Sequence, residues 1–464
     1  MTIMPRLEGW TLVLREDQRA EIDAATGLNV ETGAVFLCRP HFFGSHARFL
    51  VEEIRWVPEH AYVERVSDKM RISSGGFVPM LGDAEERGLI AGWFHTHPSS
   101  PRRIRHSDLD RAVDSELGPL FRLRTGGDAY LSVIGTTRNR SLAIIGTMTT
   151  ESGETSEMGA VVTLGESLQV TLRDGSVGSE VKNDLYSRQV AAFGGPIQRS
   201  LGALKIGVVG CGGTGSAVAE QLIRLGVKSV VLVDPDNLDL SNVTRVYGST
   251  PADVGRPKAE VLRQHLLRIA PDAQVAAVNE TITRRRPASL LTTCDVLFGC
   301  TDDNAGRIIL SRLAAYARQL VIDMGVLITS RDDGTVDGIN GRVTVMRPGQ
   351  ACLICRGRVD LQRAAAEQLP EAERTRLAGE GYAPALGGIQ PAVVAYTSMV
   401  AATAVAELLE HLIGYGPTPR PSEILLRAHD REISTNSARP RPGHFCDPGV
   451  SRDESMFLGK AWVE

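Results

Sequence analysis

Residues 204–226, "LKIGVVGCGGTGSAVAEQLIRLG", constrain this chain more than any other stretch. A short β-branched run ends in glycines, and an apolar pattern at helical spacing follows. Gly210, Gly212, Gly213 and Gly215 form G-x-G-G-x-G at that strand-to-helix turn. Glycines there permit a tight turn and let backbone N–H groups approach phosphates at a helix N-terminus. The strands "SVVLVDPD", "AQVAAVN" and "CDVLFGCTDD" follow, with the helix "KAEVLRQHLLRI" among them. Alternating strands and helices predict a parallel, doubly wound sheet. Asp234 ends the second strand, 19 residues after Gly215, where an acid bonds a ribose hydroxyl. On these features alone an NAD-dependent oxidoreductase is a fair reading.

The next residues change the choice. "SNVTR" (241–245), Lys258 and "CTDDNAGR" (300–307) are not dinucleotide features. Arg245 and Lys258 suit triphosphate charge. Asp302, at a strand end, suits magnesium. "YSRQ" (186–189) precedes the glycine loop. Taken singly, Arg245 or Lys258 is ordinary surface charge; in this order, between these elements, the set closely resembles the ubiquitin-activating superfamily in its ThiF/MoeB-like bacterial branch. The resemblance covers roughly 183–450. It implies adenylation of the C-terminal glycine carboxylate of a ubiquitin-fold protein, with release of pyrophosphate. By it, Asp234 holds the ribose, Asn242, Arg245 and Lys258 hold the phosphates, and Asp302 binds magnesium. Arg188 contacts ATP across a homodimer interface. One departure is Asp303, where the family often has Asn.

A second constellation lies upstream in "HTHPSSPRRIRHSDLD" (95–110). Alternate residues of a strand share a face, so a strand ending at "GWFHTHP" aims His95 and His97 at one point. A helix starting at Ser107 sets Ser107 and Asp110 on one side. Two imidazoles and a carboxylate match the ligand number of a catalytic zinc with an open fourth position. Ser107-x-x-Asp110 is equally an ordinary helix cap. With Glu31 in "NVETGAVFL", the set resembles the JAMM/MPN zinc isopeptidases over about the first 150 residues. That resemblance makes His95, His97 and Asp110 the zinc ligands, Glu31 the proton acceptor and Ser107 a stabiliser of the tetrahedral intermediate. Nine residues separate His97 from Ser107, more than the family's usual seven. The extra length carries "RRIR", either solvated charge or a basic rim that docks an acidic or C-terminal carboxylate segment.

Seven cysteines are scattered except for Cys352 and Cys355 in "CLIC". An odd, scattered set is no disulfide framework and fits a reducing cytoplasm. CxxC is zinc-ligand spacing, and ThiF/MoeB-like relatives often complete such a site near the C-terminus. Here "RPRPGHFCDPG" offers His444 and Cys446. A Cys-Cys-His-Cys structural zinc, plain buried thiols, or a thioester on Cys352 or Cys355 are the alternatives. Residues 356–390 hold no cysteine and read as a polar, exposed helical excursion.

The net charge of −4 gives no field for nucleic acid, and no basic amphipathic arm argues for a membrane surface. The N-terminus lacks the apolar core of a secretion signal. The long apolar stretch 391–414 is broken by Thr397, Ser398, Glu407 and Glu410, so it reads as a buried helix. The expected organisation is a mixed α/β JAMM/MPN-like domain at 1–150, a Gly/Ser/Glu/Thr-rich linker at 151–180 with room for a hairpin in its middle, and a Rossmann-like adenylation domain at 181–464.

The two resemblances together imply a bifunctional enzyme needing zinc, ATP and magnesium. It would process or deconjugate a ubiquitin-like protein and adenylate its C-terminal glycine, with thioester formation left open. A conjugating enzyme and a homodimer partner go with that reading, as in bacterial conjugation operons, some tied to phage defence. Sulfur-carrier maturation and activation for cofactor or cysteine biosynthesis is the alternative. A binding scaffold with inactive domains is opposed by the intact residue sets.

Overall fold

The computed structural model describes residues 9–98, 104–173, 183–379 and 391–450. The chain divides into two compact units, Met1–Glu180 and Val181–Glu464.

The first unit opens with β1 (Gly9–Arg15), α1 (Glu16–Thr26), β2 (Gly33–Phe43) and β3 (His46–Trp56). A small hairpin, β4 (Tyr62–Arg65) and β5 (Met70–Ile72), leads to α2 (Val78–Glu86) and β6 (Ile90–Thr96). Then come α3 (Asp108–Thr125), β7 (Ala129–Arg138), β8 (Ser141–Thr150), β9 (Thr155–Leu164) and β10 (Leu168–Leu172). Eight strands form one sheet in the order β1-β3-β2-β6-β7-β8-β9-β10, and β1 also pairs with β9, so the ladder returns on itself. Trp10, Phe36, Phe49 and Phe94 fill its interior and are at most 2% exposed. Trp10 meets Phe49 edge-on and Phe36 stacks on Phe94.

This corrects the expected organisation in one place. Residues 151–173 hold the hairpin the sequence left room for, β9 and β10, but it belongs to the first unit's sheet rather than to a linker. β9 pairs with β1 and β10, and Met158, Val161 and Leu164 are buried. The polar residues between them suggested a boundary, yet they are the outward half of an alternating strand.

The second unit begins with α4 (Asn183–Ala203), β11 (Lys205–Val209), α5 (Gly213–Arg224) and β12 (Ser229–Val233). It continues with α6 (Lys258–Ile269), β13 (Gln274–Val278), α7 (Arg285–Leu291), β14 (Val296–Gly299) and α8 (Asn304–Tyr316). The remainder is β15 (Leu320–Ser330), β16 (Val336–Met346), α9 (Leu361–Glu367), α10 (Glu371–Gly379), α11 (Val394–Ile413), β17 (Glu423–Arg427) and β18 (Glu432–Asn436). The sheet order is β13-β12-β11-β14-β15-β16-β17-β18. β13 through β15 run parallel and β16 to β18 extend the sheet antiparallel. The order reverses beside β11, the place where doubly wound sheets bind ligands at strand carboxyl ends.

α11 buries Val400, Ala401, Ala404, Val405 and Leu408, and it packs on α5 and β15. No helix among the described residues is long and apolar enough to cross a membrane. The expected exposed excursion is only partly so. In α9, Ala364 and Ala366 are 2% exposed, and Ala364 packs on Ala305 and Ile308 of α8. Residues 380–390 of that stretch lie outside the described residues.

Candidate functional sites

In the first unit, strand register assembles the site. Gly33 of β2 stands opposite His95 of β6 in an antiparallel pair. One step further along the register, Thr32 and Thr96 exchange bonds: Thr96 N donates to Thr32 O at 3.0 Å and Thr32 N to Thr96 Oγ1 at 2.9 Å. Glu31 precedes β2: its N–H donates to Val66 O at 2.8 Å, its carbonyl accepts from Arg65 Nε at 2.9 Å, and its carboxyl senses the charges of His97 and Asp110. Gly33 leaves room for the Trp93 ring, which a Cβ there would meet at 2.7 Å.

From the other side comes α3. Ser107 caps it in a reciprocal box: Ser107 Oγ accepts from Asp110 N at 3.1 Å, and Ser107 N donates to Asp110 Oδ2 at 2.7 Å. The capping reading of Ser107-x-x-Asp110 is realised, and it leaves Asp110 Oδ1 turned toward His95. The cap orients Asp110, whose Oδ1 lies 3.2 Å from His95 Nε2. His97 Nε2 is 3.0 Å from His95 Nε2 and 3.5 Å from Asp110 Oδ2. Two nitrogens and a carboxylate oxygen converge within 4.8 Å, a donor set that fits zinc.

Burial lowers the pKa of His95 against the pull of Asp110, keeping a lone pair available. Burial resists ionisation of Asp110 too, but its bonds with His95 and His97 win and hold it below the usual carboxylate range. Glu31 is pushed up to about 7, chiefly by burial. Arg102 and Arg103 of "RRIR" lie outside the described residues. Ile104 is buried against Ile134, Ala143 and Ile145, and Arg105 is exposed. Ile104 is thus an apolar pin within this basic stretch.

In the second unit a cleft of about 1230 Å³ opens at the carboxyl ends of β11, β12, β14 and β15. The glycine loop forms its floor. Gly210 has φ +92°, and a Cβ there would sit 2.6 Å from Cys300 O. A Cβ on Gly215 would lie 1.8 Å from Gly210 O, so only glycine closes this turn. In front of Gly212 the space is open. Asp234 accepts from Cys211 N at 2.6 Å and from Asp236 N at 2.8 Å. Burial raises its pKa despite those two bonds.

Lys258 opens α6 and lines the cleft, its ammonium 2.8 Å from Asp236. Burial opposes the Lys258 charge, but Asp236, with Asp234 and Asp302, outweighs it. Arg245 lines the cleft and donates to Ser241 O at 2.9 Å. Asn242 is buried at the cleft edge and accepts from Asp239 N at 3.2 Å. Asp302 and Asp303 both line the cleft, and Asp303 also serves as the N-cap of α8, accepting from Gly306 N. That cap accounts for the acid next to Asp302. Arg188 is exposed on α4 and is not among the residues lining the cleft.

A model described as the ThiF family matches residues 186–445. The chain belongs to the ThiF family. The Escherichia coli (strain K12) sulfur carrier protein ThiS adenylyltransferase is 35% identical over 126 residues, 26% of this chain and 49% of that protein. The ubiquitin-like modifier-activating enzyme 5 of Caenorhabditis briggsae is 28% identical over 190 residues, 38% of this chain and 42% of its own length. The chain thus spans about half the length of these two. The molybdopterin-synthase adenylyltransferase of E. coli (strain K12) is 30% identical over 178 residues, 38% of this chain and 68% of that protein.

One further cluster lies in the ThiF-family unit. Cys352, Cys355, His444 and Cys446 bring their donor atoms within 4.8 Å of one another. Cys355 Sγ and Cys446 Sγ are 3.6 Å apart, His444 Nδ1 is 3.2 Å from Cys446 Sγ, and Cys352 Sγ is 3.7 Å from His444 Nδ1. The short His-x-Cys spacing is accommodated by a turn in which Asp447 N donates to His444 O at 2.7 Å. Four soft donors in one shell fit tetrahedral zinc. Neither Cys352 nor Cys355 lines the cleft.

Proposed function

We propose that the second unit adenylates the C-terminal carboxylate of a ubiquitin-like or sulfur-carrier protein. The carrying observation is the cleft itself, with a glycine loop at a helix N-terminus, a ribose-height acid and Asp302 around one space. Asp234 receives the ribose hydroxyls. Backbone N–H groups at the start of α5, with Arg245, Lys258 and Asn242, hold the phosphates. Asp302 would hold a magnesium ion, which when bound supplies positive charge against the phosphates. A carboxylate oxygen of the tail attacks the α-phosphorus, the bond to the bridging oxygen breaks, and pyrophosphate leaves. Arg188 completes the site across a homodimer.

For the first unit we propose zinc-dependent cleavage after the terminal glycine of the same protein, either trimming a precursor or breaking an isopeptide bond. Convergence of His95, His97 and Asp110, with Glu31 close enough to sense the charges of His97 and Asp110, supports this. Zinc, when bound, supplies Lewis acidity that makes water a nucleophile near neutral pH. His95, His97 and Asp110 would hold it. Glu31 takes the proton from the attacking water and passes it to the leaving amine. The Ser107 hydroxyl, whose oxygen already accepts from Asp110 N, keeps its O–H to donate to the developing oxyanion.

Joined, the two activities place the chain in a bacterial ubiquitin-like modification pathway with a separate conjugating enzyme, and phage defence is one setting for it. Sulfur-carrier activation is the second reading. It is favoured by Cys352 and Cys355, which stand in a four-donor cluster suited to structural zinc and outside the cleft. The decisive experiment is pyrophosphate exchange into ATP, run with each ubiquitin-fold protein encoded beside this gene. Exchange that requires an intact terminal glycine is expected. Absence of exchange with every one of them would sink the adenylation reading.

A further inference from the structure

Two carboxylates sealed beneath the cleft point to what the cleft receives. Asp323, on β15, is 0% exposed, and Glu423, on β17, is 1% exposed. Asp323 Oδ2 accepts from Arg342 Nη2 at 2.6 Å, and Arg307 Nε lies 3.6 Å from its other oxygen. Arg342 also donates to Thr344, whose Oγ1 donates to Glu423 Oε1 at 3.0 Å. Glu423 in turn accepts from Arg358 at 3.0 and 2.7 Å, a two-pronged pair. Arg307, Arg342 and Arg358 all line the cleft. A chain of buried contacts therefore fixes three guanidiniums from behind and presents them to one space.

Stability alone is a weak reason for this arrangement. Burying an ion pair costs desolvation that its attraction about repays, so apolar residues of similar volume hold strands as well. At this end of the cleft, cations also outnumber acids. Three guanidiniums face two sealed carboxylates, Arg356 stands behind against Glu423, Arg363 reaches the cleft from α9 paired with Glu367, and Arg374 reaches it from α10. The nucleotide end has its own cations in Lys258 and Arg245. One reacting carboxylate does not balance what remains.

We propose that Arg307, Arg342 and Arg358 form an anion-receiving wall, and that the substrate tail entering the cleft carries acidic side chains close to its terminal carboxylate. This rests on the adenylation reading and adds the tail's chemistry. Planar guanidiniums held at fixed angles bind carboxylates with two parallel bonds each, so position as well as charge is selected.

The test uses the full chain, saturated with ATP and magnesium, and two fluorescein-labelled peptides ending in Gly-Gly carboxylate. One has Asp and Glu ahead of the glycines, and the other has Asn and Gln there. Anisotropy should show the acidic peptide binding at least about tenfold tighter, with a steep salt dependence. Arg342→Gln with Arg358→Gln should remove that preference while affinity for a fluorescent ATP analogue holds. Because these arginines neutralise buried carboxylates, Arg342→Lys with Arg358→Lys serves as the charge-keeping control and should retain part of the preference. Equal binding of the two peptides, or no binding of either, would overturn the wall. So would a double variant that loses ATP and acidic peptide together, because the arginines would then be phosphate ligands. A parent chain that binds the acidic peptide but no ATP would refute the adenylation reading and leave the wall standing.

Discussion

The two candidate sites are built by opposite means. In the first unit, His95, His97, Ser107 and Asp110 come from one strand, one loop and the first turn of one helix. Glu31 joins them from the segment just before β2, where it senses the charges of His97 and Asp110. In the second, Gly210, Asp234, Asp302 and Asp323 stand near the ends of four parallel strands spread over more than a hundred residues. A site of the first kind depends on local geometry and a cap. One of the second kind depends on the whole sheet. Damage to a single residue should therefore stay local in the first unit and spread in the second.

The largest effect is expected at Glu31. Glu31→Gln keeps size and removes the proton acceptor, so release of a tail beyond the terminal glycine should fall by about 10²–10⁴-fold. ATP binding should not change. A parallel loss of both would break the separation between the sites. Next, Asp302→Ala should reduce carrier-dependent pyrophosphate exchange by on the order of 10²-fold through weaker magnesium binding. Tail release read in the same preparation should stay at the parent level.

Cys446→Ser sharpens the contrast through stability. If Cys352, Cys355, His444 and Cys446 hold zinc, metal analysis should show one equivalent lost per chain. The second unit's melting transition should fall by roughly 2–4 °C for each kcal/mol of binding removed. The first unit's transition should stay in place. Unchanged metal content would leave the cluster as buried thiols.

The smallest expected effect lies at Glu407 on α11, which burial pushes up to about 7, with Glu410 adding to the rise. Its folded pKa lies above its ordinary value of 4.5, so the folded state binds the extra proton. Stability from this group is full below about pH 4.5 and is lost as pH rises through 7. Glu407→Gln should raise the second unit's Tm at pH 8 and have no effect at pH 4. A gain of equal size at both pH values would refute that linkage.

Much of this was legible in the primary structure, and particular residues show why. G-x-G-G-x-G, His-x-His and Ser-x-x-Asp act over a few residues, where backbone geometry alone decides direction. The strand at 9–15 and helix at 16–26 escaped notice, because one short alternating run beside a polar helix carries little signal. The segment 151–173 reads as a boundary because exposed polar residues fill its first part, 151–155, while the buried run of β9 comes only later. Glu367 had no local signature at all. It reaches from α9 to accept from Ala305 N at 2.9 Å and Asn304 Nδ2 at 3.1 Å, steadying the turn beside Asp302.

By itself the sequence determined two α/β units, the glycine turn, the histidine pair and the acid at each strand end. These follow from periodicity and from conformations only glycine adopts. Tertiary structure alone decided the rest. Pairing of β2 with β6 set Gly33 opposite His95 across more than sixty residues of chain, which leaves Glu31 within reach of the charges of His97 and Asp110. Sheet extension buried Asp323 and Glu423 behind three arginines. A C-terminal turn carried His444 and Cys446 to Cys352 and Cys355. Each is a contact between distant segments, fixed by hydrogen-bond pairing and burial, which no local pattern encodes.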